Sequence, residues 1–268
     1  MTLKVKGESN QKSTIMKRML TTLAILLLAL PISAQMNPNL EYYRTMRWKA
    51  KDGKTANFIE NAGKKTKMYN NTPENAMVTY RITTGPDQGM FERVLVAKSL
   101  DYLYNNNDQQ GLDYWSKNVV QYAENPKGAK IWWRIKGWSV NWEESGTPSK
   151  YLDVHILTLR SDNGGHFRRH MNRYMEILKE NSTIKIAVFK ISSGSHPLEF
   201  RIITFFDDPM KARGEWKTDD FNMEDAYNNK YGFNAFRTDK DLYDASIEIY
   251  GQMIETHKLV PEMSFMGN

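Results

Sequence analysis

His166 and His170 stand four residues apart in His-Phe-Arg-Arg-His. On a helix this spacing puts both imidazoles on one side, the geometry a metal site uses. No glutamate accompanies them in a His-Glu-x-x-His pattern, so a third ligand has to come from elsewhere. Two histidines at the edge of an amphipathic helix explain the same residues. The other histidines are His155, His196 and His257, and nothing in their flanks selects one as ligand or base. Carboxylates occur as the neighbours Glu143-Glu144, Asp207-Asp208 and Asp219-Asp220, which do not converge on one substrate. Asp219-Asp220 stands where a helix should begin and Asp208 precedes Pro209, so capping and turn formation account for them. Five of seven tryptophans fall between Trp115 and Trp142, a platform for sugar rings or a packing surface. The sequence holds no nucleophile elbow, phosphate-binding glycine loop or catalytic-triad pattern. With no cysteine, thiol catalysis, disulfides and thiolate metal sites are excluded.

The elements that position these residues begin after a leader. Lys17 and Arg18 precede an apolar stretch containing Leu23 to Leu30, and Ser33-Ala34 offers a cleavage site. That stretch is too short to span a bilayer, which takes about 20 residues, but it suits a signal-peptide core. Residues 1–34 are expected to be removed on export to the periplasm or medium, the alternative being an uncleaved anchor. No later segment is apolar enough for stable membrane insertion. The net charge of +6 is concentrated in the leader; the remainder has 32 basic and 30 acidic side chains. Nucleic-acid binding needs a concentrated basic face, so no nucleic-acid partner is expected.

The chain matches itself. Met77-Val-Thr-Tyr-Arg-Ile-Thr-Thr-Gly85 aligns with Ile186-Ala-Val-Phe-Lys-Ile-Ser-Ser-Gly194 at an offset of 109, Arg93-Val-Leu-Val-Ala97 with Arg201-Ile-Ile-Thr-Phe205 at 108, and Asp52-Gly53 with Asn163-Gly164 at 111. Three matches in the same order indicate duplication. Each copy reads β-α-β-β: strands at Tyr42–Ala50, Met77–Thr83 and Phe91–Lys98 around a helix at Thr55–Tyr69, then Tyr151–Arg160, Thr183–Ile191 and Leu198–Phe206 around a helix at Gly165–Asn181. Helical tails follow. In the first copy they are Leu112–Glu124 and a segment with Ile131, Ile135, Trp138 and Trp142 at helical spacing, where Lys130–Ile135 also alternates as a strand would. In the second they are Asp219–Lys230 and Lys240–His257.

The duplicated βαββ pattern resembles the dimeric α+β barrel superfamily: an α+β fold of tandem ferredoxin-like units with appended helices, whose sheets pack face to face as a pseudo-dimeric barrel. The units would be 35–149 and 150–268. The resemblance covers nearly all of the chain after the leader and is one of topology. It implies functions ranging from cofactor-independent monooxygenases and haem-handling enzymes to members without activity, with haem, where present, on a histidine of the second copy. Fold alone does not choose among them.

Alignment at 111 sets His155 opposite Arg44, while Arg93 pairs with Arg201 and Arg81 with Lys190. If Arg44, Arg93, His155 and Arg201 point between the sheets, they line a positively charged cavity for a small anionic or aromatic molecule. Otherwise they are solvent-facing residues of half-buried strands. The expectation is a non-catalytic small-molecule-binding barrel; the alternative is a cofactor-independent monooxygenase or haem-binding enzyme using His155 with the strand arginines.

Overall fold

Aromatic and β-branched runs broken by glycine turns set most of the element boundaries. The computed structural model describes residues 41–97, 99–105, 108–142, 147–208 and 221–267; the leader 1–34, Glu143-Glu144 and Asp219-Asp220 lie outside the described residues. The first half runs β1 (Tyr42–Ala50), α1 (Thr55–Tyr69), β2 (Met77–Ile82), β3 (Phe91–Ala97), α2 (Leu100–Asn105), α3 (Gln109–Asn118), β4 (Ala123–Glu124) and β5 (Ala129–Arg134). The second runs β6 (Tyr151–Leu159), α4 (Gly164–Asn181), β7 (Lys185–Ser193), β8 (Glu199–Phe206), α5 (Met223–Tyr231), α6 (Ala235–Ala245) and β9 (Ile247–Leu259). No helix among the described residues is long and apolar enough to cross a membrane.

Eight strands close into an antiparallel barrel in the order β3-β2-β9-β6-β8-β7-β5-β1, with β1 returning to β3. The short β4 adds a pairing at the end of β1. Strands of the first half lie in the order β5-β1-β3-β2 and those of the second in the order β9-β6-β8-β7. The halves join at β2–β9 and β5–β7. Closure leaves none of the eight with a free edge.

The segment read as helix or strand takes the strand alternative, and one expected helix is largely a strand. Ala129–Arg134 pairs with both β1 and β7, and Trp138 lies in a 3-10 turn at Lys136–Trp138. The helix expected over Lys240–His257 ends at Ala245, after which Ile247–Leu259 pairs with β6 and β2. Without these segments β1, β7, β6 and β2 would expose unpaired backbone, and satisfying those groups outweighs apolar spacing of three to four residues.

The helices cover the outside of the barrel. Leu157, Phe167, Met171, Met175, Val188 and Phe200 form the core under the second half's helices, while Trp48, Phe58, Phe91 and Met263 pack under those of the first. Fully burying a side chain of this size stabilises by about 1.5–3 kcal/mol. Gly85 and Gly194 each turn a hairpin at φ near +90°, and a Cβ on Gly194 would lie 2.4 Å from the Ala129 carbonyl oxygen, so both torsion and space require glycine there.

Candidate functional site: the barrel interior

Directly paired residues of neighbouring strands share a face. Tyr43 pairs with Val96 and Trp132, Thr45 with Val94, and Arg47 with Glu92; Val154 pairs with Ile203, and Ile156 and Phe189 with Arg201. Their apolar members form clusters of side chains from both halves that contain no residue of the six helices, which identifies this face as the barrel interior. Val78, Val94, Val96, Ile156, Ile203 and Phe205 belong to those clusters yet stay partly exposed. The apolar walls inside the ring of strands therefore keep some accessible surface.

At the polar part of the interior sits an ionic network. Arg47 donates from Nε to Glu92 at 2.8 Å, from Nη1 to Asp87 at 2.5 Å and to Glu255 at 2.8 Å, and from Nη2 to Glu255 at 2.7 Å. Arg201 donates from Nη1 to the other oxygen of Glu92 at 2.7 Å and lies 4.3 Å from the Trp132 ring centroid. His257 Nε2 is 3.0 Å from Glu255 Oε2, and both residues are fully buried. Burial alone would raise the Glu92 carboxyl pKa, but the charges of Arg201, Arg47 and His257 overcome it and hold the group well below the usual range. Glu255 is likewise held low: burial opposes, while the His257 hydrogen bond and Arg47 prevail. Arg201 Nε and His257 Nδ1 are buried with no hydrogen-bond partner among the described residues.

The structure separates the candidates named from sequence. Arg201 points inward. Arg44 and Arg93 lie on the opposite face of their strands, since Arg44 pairs with Ile131 and Leu95, and Arg93 is under α1, bonded through Nη2 to Thr66 Oγ1 at 2.8 Å. His155 is exposed on the outer face of β6, paired with Ile202 and Ile254. Arg81 is exposed and Lys190 half-buried. The positively charged interior expected from Arg44, Arg93, His155 and Arg201 is therefore not what forms, because strand alternation sends three of the four outward. Inside, Arg47 and Arg201 are matched by Asp87, Glu92 and Glu255. Of the histidine pair, His166 is half-exposed and His170 is buried, its ring centroid 4.8 Å from that of Tyr243. Among the described residues no three His, Asp or Glu side chains group as a metal site. Trp132, Trp138 and Trp115 are packing residues rather than an open platform.

Arg47, Asp87, Glu92, Glu255 and His257 were missed as a set. The signal available was register. Met77 pairs with Leu95 and Ile186 with Thr204, while Arg47 pairs with Glu92 and Ile156 with Arg201. These pairs align the halves at a constant spacing of 109, so the counterpart of Arg201 is Glu92, and Arg93 corresponds to Ile202. The offset of 108 is one residue short and exchanged the faces, whereas 111 differs from 109 by two and keeps a residue on its face.

Haem held through a histidine needs that ring to keep an open coordination side within the fold. His155 and His196 are on the surface, His166 is at a helix edge, His170 is packed against Tyr174, Tyr227, Phe236 and Tyr243, and His257 is bonded to Glu255. As placed, His155, His166, His170 and His196 do not fit that requirement, and His257, whose Nδ1 has no partner among the described residues, has no exposed surface.

No family model matches the sequence, and no curated protein does. Solved structures match in fold. A protein of Fusobacterium nucleatum subsp. nucleatum described as a candidate monooxygenase superposes with a TM-score of 0.56 at 10% identity, over 82% of this chain and 92% of its own. An anthrone oxidase-like protein gives 0.52 at 8% identity, over 84% and 92%. A chlorite dismutase variant from Candidatus Nitrospira defluvii gives 0.51 at 11% identity, over 85% and 93%. These neighbours are of the dimeric α+β barrel type, and at such identities the likeness shows the barrel fold alone.

Proposed function

We propose that the barrel interior binds a compact, uncharged molecule, aromatic or otherwise apolar, with a hydroxyl or carbonyl turned toward Arg201 and His257. The observation that carries this is the partial exposure of Val78, Val94, Val96, Ile156, Ile203 and Phe205, inward-facing side chains that a packed barrel would bury. Apolar walls with a few convergent polar groups are the usual make-up of a small-molecule site. Because the two interior arginines are already matched by carboxylates, a neutral ligand suits it better than an anion.

Binding without catalysis is the primary reading. The His257–Glu255 pair favours a second: Glu255 orients the imidazole and would stabilise its charged form while Nδ1 takes a proton from the ligand, the opening step of cofactor-independent oxygenation. The monooxygenase and oxidase descriptions of the fold neighbours are in line with that reading. The barrel is further read as fused ferredoxin-like units over 35–149 and 150–268, supported by matching strand orders and the constant spacing. Export behind residues 1–34 rests on the basic start and apolar run of that segment.

Titration with 2-naphthol, followed by tryptophan fluorescence, tests the proposal. Saturable binding that weakens at least tenfold in Ile203→Trp, with circular dichroism unchanged, is expected. Equal affinity in the variant, or no saturable binding by the native chain, would overturn it. Oxygen uptake with dihydroxynaphthalene that is lost in His257→Gln would select the catalytic reading.

A further inference from the structure

On the other face of β1 and β3, beneath α1 and α3, three cations converge. Arg93 is 1% exposed, its guanidinium carbon is 4.7 Å from the Trp115 ring centroid, and only its Nη2 is donated, to Thr66. Lys65 is 9% exposed and donates to Asn70 Oδ1 at 2.6 Å. Arg44, on the same face as Arg93, has a buried Nε. Arg44 Nε, Arg93 Nε and Arg93 Nη1 have no hydrogen-bond partner among the described residues. The carboxylate at hand is Asp108, 3.6 Å from Lys65, and it is occupied as the cap of α3, accepting from the Gly111 amide at 2.9 Å.

The second half shows what this space holds when it is simply packed. At the spacing of 109, Lys65, Thr66 and Arg93 correspond to Tyr174, Met175 and Ile202, all members of or packed against the large apolar core under α4. In the first half the apolar residues under the helices fall into two smaller clusters. Burial pushes Arg93 down to about 9; burial, with the nearby Arg93 charge, pushes Lys65 down to about 8. Buried guanidinium nitrogens left without hydrogen-bond partners are what an anion site looks like before its ligand arrives.

We infer that Arg44, Lys65 and Arg93 form a second binding site, separate from the barrel interior, that takes a small oxyanion, a phosphate or carboxylate group. Guanidinium nitrogens supply planar donors for such a group and Lys65 a point charge. Arg44 and the partly exposed Asp108 side chain mark the side from which solvent reaches it.

The test is thermal unfolding of the whole chain in chloride, phosphate and acetate at equal ionic strength and pH 7, for the native protein, Arg93→Met and Lys65→Met. Phosphate or acetate should raise the native midpoint by roughly 5–10 °C at a hundredfold excess over its Kd, and the anion that does so identifies the group. Both variants should lose that shift, and Arg93→Met should melt higher than the native chain in chloride because a buried charge is gone. The inference is overturned if neither anion shifts the native midpoint relative to chloride, or if both variants keep the full shift, which would mark a general salt effect. If Arg93→Met does not fold, Lys65→Met decides by the same comparison.

Discussion

Arg201 of β8 donates to Glu92 of β3 across the barrel interior at 2.7 Å, and the two residues are 109 positions apart, each the strand-register counterpart of the other. Identical side chains at this position would place like charges together in a buried space, which costs several kcal/mol. The halves differ where they meet, with a cation from one and a carboxylate from the other. The same divergence leaves Lys65 and Arg93 under the helices of the first half where the second has Tyr174 and Ile202.

Arg47 anchors the network by bonding Asp87, Glu92 and Glu255 together. Arg47→Met should lower the free energy of unfolding by about 3–5 kcal/mol, because removing one member leaves buried charge uncompensated. The fully exposed Lys64–Glu60 pair is a control, and Glu60→Ala should give no measurable change. Urea unfolding of the three proteins measures both; a native-like midpoint for Arg47→Met would show that the network does not stabilise the barrel.

His170 supplies a pH signature. Burial depresses its pKa to about 4; Asp239 and Asp244 oppose the shift and Lys240 adds to it. A base depressed in the folded state binds its proton more readily when unfolded, so stability falls as pH drops from about 6.5 toward 4. His170→Phe should flatten denaturation midpoints between pH 6.5 and 5, above the range in which the depressed carboxylates Glu92, Glu255 and Asp87 begin to matter. An unchanged slope would refute this assignment.

Lys65 gives the opposite trend on the alkaline side. Its depressed pKa means that the unfolded chain retains the proton longer, so stability should rise as pH goes from about 8 to 9.5 in the absence of oxyanion. Arg93 contributes in the same direction. Above that window Tyr43, Tyr80 and Tyr243, whose burial raises their pKa values, reverse the trend. Lys65→Met should remove most of the rise, measured by thermal midpoint against pH.

The helix Thr55–Tyr69 and strands Tyr42–Ala50, Met77 onward and Phe91 onward were legible because each carries its own pattern and turn. Ala129–Arg134 was legible only as one of two alternatives and Ile247–Leu259 not at all, because they become strands only when four neighbours from distant parts of the chain need partners. The site depended on these segments. Reading Glu255 and His257 as helical hid their common inward face, two residues apart on β9. Arg47 was visible only as one of many cations, and a one-residue error in aligning Arg93 with Arg201 exchanged inside for outside.

Isoleucine and valine methyl NMR with added 2-naphthol tests the account most directly. The proposed interior site predicts that Val94, Ile156 and Ile203 methyls shift in saturable fashion while Ile186 and Val188, in the outer core under α4, stay fixed. Shifts confined to the outer core, or none at saturating ligand, would contradict it.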